Sequence, residues 1–230
     1  MSNTEAVRQA NEVSLFASSS PGKLYGAEWG DPDTDAKLKP VLDKFMLPEL
    51  AKRKRLCEIG SGGGRWSRYM IRACKPLLLI DGSPGSEVLI KALPWTDRAA
   101  SALATNVEFM VAPSGTVPVS HHGQYDYVFS FDTFVHFDLS LFLNYLRTIS
   151  LMLQIGGVLH LHYADMQQAN WLTSLDSAAE WDNACRTFRY IGREDMWSLL
   201  SKFNLRRTDR DMKFGANGSR LIECLKVQNG

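Results

Sequence analysis

Four of the five residues from 60 to 64 are glycine, and they stand between the apolar run RLCEI and a segment, RWSRYM, able to begin a helix. Glycine costs about 0.5–1 kcal/mol relative to alanine inside regular structure, so this much backbone freedom at one turn implies close approach to the main chain. A nucleotide-like ligand fits such a strand-to-helix turn. The rest of the chain agrees with a strand-and-helix alternation. Short apolar runs at 55–59, 77–81, 107–111, 125–131 and 158–164 are separated by helical patterns. Runs of that length predict a parallel sheet with helices on both faces, whose ligands bind outside the carboxyl ends of the strands. Over 35–50, Leu38, Val41, Leu42, Phe45 and Met46 recur at helical spacing and predict an amphipathic helix. The basic run KRKR that follows is read as a solvated edge favoured by the helix C-terminal dipole.

With 230 residues, 45% of them hydrophobic, the chain is long enough for one α/β domain with a full core. The stretch from Ser18 to Pro32 is a loose joint rich in Ser, Gly and Pro, which sets residues 1–34 apart as an N-terminal cap ahead of a main domain over 35–230. Net charge is +1, so there is no basic field of the kind that holds nucleic acid or an anionic membrane, and the expected partner is a small molecule. The N-terminus lacks the basic and apolar regions of a signal peptide, and no run approaches the roughly 20 apolar residues of a membrane span. Cys57, Cys74, Cys185 and Cys224 form no CxxC pair and are read as reduced thiols, so the expected location is cytoplasmic. His121 and His122 have no accompanying third ligand, and no metal is expected.

Two frames can be laid on the glycines. The dinucleotide pattern G-x-G-x-x-G fails, because Arg65 stands in its last place. What the residues do form is Glu58-x-Gly60-x-Gly62-x-Gly64, which resembles motif I of the class I S-adenosylmethionine-dependent methyltransferases. The second strand ends in Asp81, where a carboxylate can accept hydrogen bonds from both ribose hydroxyls of an adenosine. Further on, YDYVFSFDTFVHF over 125–137 is similar to motif IV of that family. LMLQIGGVLHLHY over 151–163 resembles its helix, GG turn and fifth strand, and MWSLLSKFNL and SRLIECLKV its last helix and last strand.

The resemblance spans residues 50–227. It implies a seven-stranded, mostly parallel sheet with helices on both faces, a last strand running antiparallel, and S-adenosylmethionine as cofactor. It places the main chain of Gly60 and Gly62 at the methionine half, Asp81 at the ribose, and Gly82, Ser83 and Ser114 near the adenine, with Glu58, Ser61, Gly64 and Ser130 also binding the cofactor. Two departures matter. VAPSG replaces the acidic residue often found after the third strand, and SFDT over 130–133 stands where base-methylating members carry an Asn/Asp-Pro-Pro-aromatic tetrad. The expected acceptor is therefore the oxygen or nitrogen of a small molecule.

Methyl transfer from a sulfonium is an in-line displacement, so the protein supplies orientation and a nucleophile freed of its proton. His136 is placed as the base, with Asp132 and His162 as further candidates. Period-2 alternation sets His160 and His162 on one face of the fifth strand and Tyr163 on the other. The segment 166–190 is expected to form a lid, and Tyr25, Trp29, Tyr163 and Trp171 to line the acceptor. A nicotinamide-dependent oxidoreductase and a non-catalytic S-adenosylmethionine-binding protein remain as alternatives.

Overall fold

Proline placement shapes the first elements of the computed structural model, which describes residues 30–167, 189–214 and 218–228. Pro40 sits in the first turn of helix α1 (Lys39–Val41), where its missing N–H costs nothing. The helix then widens into a π turn over Leu42–Met46 before resuming as α2 (Leu47–Lys52). Pro48, in the first turn of α2, has no N–H to offer the carbonyl one turn back, so the α ladder is broken at this point. Leu38, Val41, Leu42, Phe45, Met46 and Leu50 are buried along this stretch, as the spacing predicts.

The end of α2 is closed by a cation. The Lys75 ammonium donates to the carbonyls of Leu50 (2.5 Å), Ala51 (3.4 Å) and Arg53. These are among the orphan acceptors that any helix C-terminus leaves. Lys75→Met is expected to cost about 1–3 kcal/mol of unfolding free energy by urea titration, since bonds to a charged donor are worth more than neutral ones. Of the basic run, Lys52, Lys54 and Arg55 are exposed, while Arg53 pairs with the buried Glu49 at 2.7 Å.

The chain divides at Pro113 into two compact units. In the first, β1 (Leu56–Ile59) leads through the glycine loop to α3 (Ser67–Arg72) and on to β2 (Leu77–Asp81). Then come α4 (Gly85–Lys91), α5 (Asp97–Asn106) and β3 (Val107–Val111). The strand order is β3-β2-β1, all parallel, with Leu56 beside Leu77 and Leu77 beside Val107. β1 is buried at all four positions, as its unbroken apolar run requires.

The second unit holds β4 (Tyr125–Ser130), a short 3-10 turn at Phe134–His136, and α6 (Leu139–Met152). Asp138 caps α6 by accepting the Leu141 N–H at 2.8 Å. There follow β5 (Leu153–Asp165), β6 (Tyr190–Ile191), α7 (Arg193–Lys202), β7 (Leu205–Phe214) and β8 (Ser219–Lys226). The order is β4-β5-β8-β7; β4 and β5 are parallel, and β8 runs antiparallel to both its neighbours. The antiparallel last strand is thus present. β6 is an addition to the expected set, a two-residue strand beside Ala164 and Asp165. Two residues carry no periodicity for a sequence to show.

Cys57 and Cys224 lie buried in β1 and β8, and burial pushes both thiols up, so they act as small apolar fillers. Cys185 lies outside the described residues. Among the described residues no helix is long and apolar enough to cross a membrane.

Candidate functional site

The glycine loop turns at the carboxyl end of β1. Gly60, Gly62 and Gly64 have φ of +79°, +50° and +90°, the left-handed region that favours glycine. Gly64 has a second reason: a Cβ there would lie 3.0 Å from Ile90 and 3.1 Å from Leu93. The loop is pinned by the Gly60 N–H, which donates to the Ile80 carbonyl at 2.7 Å, and by Gly64 N–H to the Ser61 carbonyl at 2.9 Å.

Asp81, at the end of β2, ties the two turns together. Its Oδ2 accepts the Gly62 N–H at 2.8 Å and its Oδ1 the Ser83 N–H at 3.0 Å. Ser83 is spent locally, its hydroxyl accepting the Gly85 N–H at 3.2 Å, and Gly82 faces open space. The buried Ser61 hydroxyl meets that of Ser86 at 2.7 Å, a partner that no sequence signal marks. A groove beside Asp81 is walled by Ser83, Ser86, Phe109, Met110 and Val111.

Behind the loop lies Glu58, 2% exposed, with Oε2 bonded to nothing. Burial pushes its carboxyl up to about 8; the Asp81 carboxylate adds to this, while the Ser67 hydroxyl and the Arg65 guanidinium pull the other way. Arg65, which occupies the place of a dinucleotide glycine, is itself buried. Arg68 in α3 pairs with Asp31 at 2.5 Å and meets the Tyr69 hydroxyl at 2.6 Å.

In the second unit the strand register of β5 decides what each histidine does. His160 Nδ1 meets the Tyr127 hydroxyl at 3.0 Å and its Nε2 the Glu223 carboxylate at 2.9 Å. Glu223 also accepts from Thr208 at 3.0 Å and from Arg210, so a buried polar relay crosses β4, β5, β8 and β7. Burial pushes the Glu223 carboxyl up, but His160, Thr208 and Arg210 together hold it below its ordinary range. Both ring nitrogens of His160 are thereby occupied.

His162, two residues on, is 2% exposed and stacks on Phe131 with centroids 4.1 Å apart and planes 7° apart. Phe214 of β7 meets it edge-on at 5.1 Å. Its Nδ1 lies 3.1 Å from the Asp132 main-chain N and 3.2 Å from Asp132 Oδ1. The Nε2 is buried and has no partner. Asp132 follows β4 in the left-handed region, φ +56°, with its side chain 32% exposed. Sequence reasoning named Asp132 and His162 separately; the fold brings them together, and it adds Phe131 and Phe214 as the walls of the imidazole.

The other expected positions are scattered. His136 ends the 3-10 turn after Asp132 and is half-buried. Ser130 is fully buried at the end of β4. Ser114 is exposed, its hydroxyl bonded to that of Thr116 at 2.9 Å. Tyr163 is fully buried, its hydroxyl has no partner, and its ring lies 6.4 Å from Trp197 of α7. Burial pushes its phenol up, and the Asp165 carboxylate adds to this. His121 stacks on Tyr125 and meets its hydroxyl at 2.7 Å. Among the described residues no three His, Cys, Asp or Glu side chains group as metal ligands. Tyr25, Trp29 and Trp171 lie outside the described residues, as do most of the cap over 1–34 and of the lid over 166–190.

A family model described as a methyltransferase domain matches residues 33–209. Among solved structures, a Burkholderia thailandensis 1,6-didemethyltoxoflavin-N1-methyltransferase, bound to 1,6-didemethyltoxoflavin and S-adenosylhomocysteine, is similar at 15% identity and TM-score 0.65, covering 98% of this chain and 89% of that one. The N-methyltransferase NodS from Bradyrhizobium japonicum, in complex with S-adenosylhomocysteine, is similar at 13% identity and TM-score 0.64, covering 96% of this chain and 98% of that one. A geranyl diphosphate C-methyltransferase from Streptomyces coelicolor is similar at 14% identity and TM-score 0.60, covering 95% and 97%. At these identities the likeness is one of fold. A comparison with curated protein sequences found no match.

Proposed function

The chain belongs to the methyltransferase-domain family, and from that premise we propose that it transfers a methyl group from S-adenosylmethionine to the oxygen or nitrogen of a small, partly polar molecule. The observation that carries the cofactor reading is Asp81. It stands at the carboxyl end of β2, holds the Gly62 N–H of a loop with three left-handed glycines, and borders an open groove. In this reading Asp81 takes the ribose hydroxyls, the main chain of Gly60 and Gly62 takes the methionine half, and Gly82 and Ser83 flank the adenine. The buried Glu58 stands behind that loop as a neutral carboxyl.

A polar small molecule as acceptor is supported by the near-zero net charge and by SFDT in place of the base-methylating tetrad. It is supported too by the bound didemethyltoxoflavin of one similar structure. The geranyl diphosphate enzyme shows that the same fold also serves carbon, so the choice of oxygen or nitrogen rests on the side chains of this chain alone. Calorimetric titration with S-adenosylhomocysteine, S-adenosylmethionine and NAD tests the cofactor. Binding of the first two and not of NAD is expected, and binding of NAD alone would overturn the reading. A panel of sugars, phenols and amines, scored by S-adenosylhomocysteine release, then tests the acceptor class. Release with nucleic acid or protein acceptors alone would overturn that class.

A further inference from the structure

Two groups of Asp132 converge on one nitrogen of His162, and a nitrogen can serve only one of them. Its Nδ1 can accept the Asp132 main-chain N–H at 3.1 Å, or it can carry a proton and donate to Asp132 Oδ1 at 3.2 Å. The remote Nε2 decides between them. It is buried and unpartnered, so the first arrangement leaves an orphaned N–H there, at a cost of about 1–3 kcal/mol. The second leaves only a lone pair unfilled, which is the lesser penalty, and forms a charge-assisted bond. That second arrangement displaces the Asp132 main-chain N–H, which in this structure is aimed at Nδ1.

We propose that Asp132 is the residue that receives the proton of the methyl acceptor, and that His162 is a positioning residue that holds its carboxylate through Nδ1–H. The proposal rests on the methyltransferase reading and narrows the acceptor to one whose oxygen or nitrogen carries a proton. Three features of Asp132 support this. It stands directly after β4, at the carboxyl end where ligands of parallel strands bind. Its φ of +56° is in the left-handed region, uncommon for a non-glycine residue though better tolerated by Asp and Asn, and here it turns the chain sharply at the strand end. Its side chain reaches solvent at 32%, whereas His162 is shut between Phe131 and Phe214 and has no such access.

Among the described residues the charged group paired with His162 is Asp132; the Phe131 and Phe214 rings that enclose it carry no charge. His160 cannot take the same part, since Tyr127 and Glu223 hold both its nitrogens. In the step itself the acceptor's X–H bond breaks and its proton goes to the Asp132 carboxylate. The freed electron pair forms the X–CH3 bond as the S–CH3 bond breaks, leaving a neutral thioether and a neutral carboxylic acid.

Two experiments test this. Nitrogen NMR on histidine-labelled protein needs no acceptor: a proton on Nδ1 of His162 and none on Nε2 is expected, and the reverse tautomer would overturn the proposal. The second uses the acceptor with the strongest S-adenosylhomocysteine release. Asp132→Asn keeps a residue that tolerates the left-handed backbone, and it should lower kcat by about 10²–10⁴-fold with S-adenosylhomocysteine affinity retained. His162→Ala should move the acidic limb of the kcat–pH profile to higher pH, because a carboxylate that loses a donor binds its proton more tightly, and His162→Gln, which keeps a donor, should restore it in part. Full turnover in a folded Asp132→Asn enzyme overturns the proposal, as does a loss of that size in His136→Ala with none in Asp132→Asn. If wild type binds S-adenosylhomocysteine but releases none with any hydroxyl or amine, the proton-acceptor role falls while the cofactor reading stands. If it binds none, the methyltransferase reading itself fails.

Discussion

Unfolding free energy is expected to fall as pH rises from about 4.5 to about 8, and to lose that fall in Glu58→Gln. The folded chain keeps a proton on Glu58 up to about 8, whereas the unfolded chain releases it near 4.5. Within that window the native state binds more protons than the unfolded one, so each rise in pH favours unfolding. The stabilisation is fully present below the window and lost above it. At about 1.36 kcal/mol for each tenfold change in proton affinity, the whole effect is on the order of 5 kcal/mol at most. Glutamine has the shape of the protonated acid and does not titrate, so the difference between the two proteins isolates Glu58 from every other group. Glu223, held below its ordinary range, contributes with the opposite sign and in a more acid window. Urea titrations of both proteins across the window check this, and parallel curves would show that Glu58 is ionised in the native state throughout.

Asp81→Ala is expected to weaken S-adenosylhomocysteine binding at least tenfold. Two ribose hydroxyls donating to one carboxylate are charge-assisted bonds worth about 1.5–3 kcal/mol each, net. The same substitution frees the Gly62 and Ser83 N–H groups, so part of the loss comes through a looser loop. Asp81→Asn separates the two contributions. It keeps the size of the side chain but turns one of two acceptors into a donor, so one main-chain tie and one ribose bond survive and an intermediate affinity is expected. Calorimetry with S-adenosylhomocysteine on folded variants reads both. Unchanged affinity in Asp81→Ala would leave that carboxylate as a tie between two turns and nothing more.

Much of the first unit was legible because its signals are local. Gly60, Gly62 and Gly64 mark a turn that needs positive φ, and the unbroken run ending in Asp81 marks both a buried strand and its carboxyl edge. Residues 35–50 showed their buried face through spacing alone, although the π turn ahead of Pro48 did not appear in that pattern. In the second unit the same rules reached less far. Alternation put His160 and His162 on one face of β5, and by that rule they are equivalent.

Only the tertiary structure told those two histidines apart. β5 lies between β4 and β8, and its register sets His160 beside Glu223 and opposite Phe129, while His162 falls beside Leu221 near the end of β4. One imidazole therefore finds a carboxylate and a phenol for its two nitrogens; the other finds two aromatic rings and a single aspartate held at φ +56°. The sequence by itself determined the strand-and-helix alternation, the glycine turn and the acidic residue at the end of β2, because each depends on neighbours a few positions away. The partners of Glu58, Asp132 and His162 were decided by strand order and register, because a period of two names the face a side chain occupies and says nothing of which strand will lie against it.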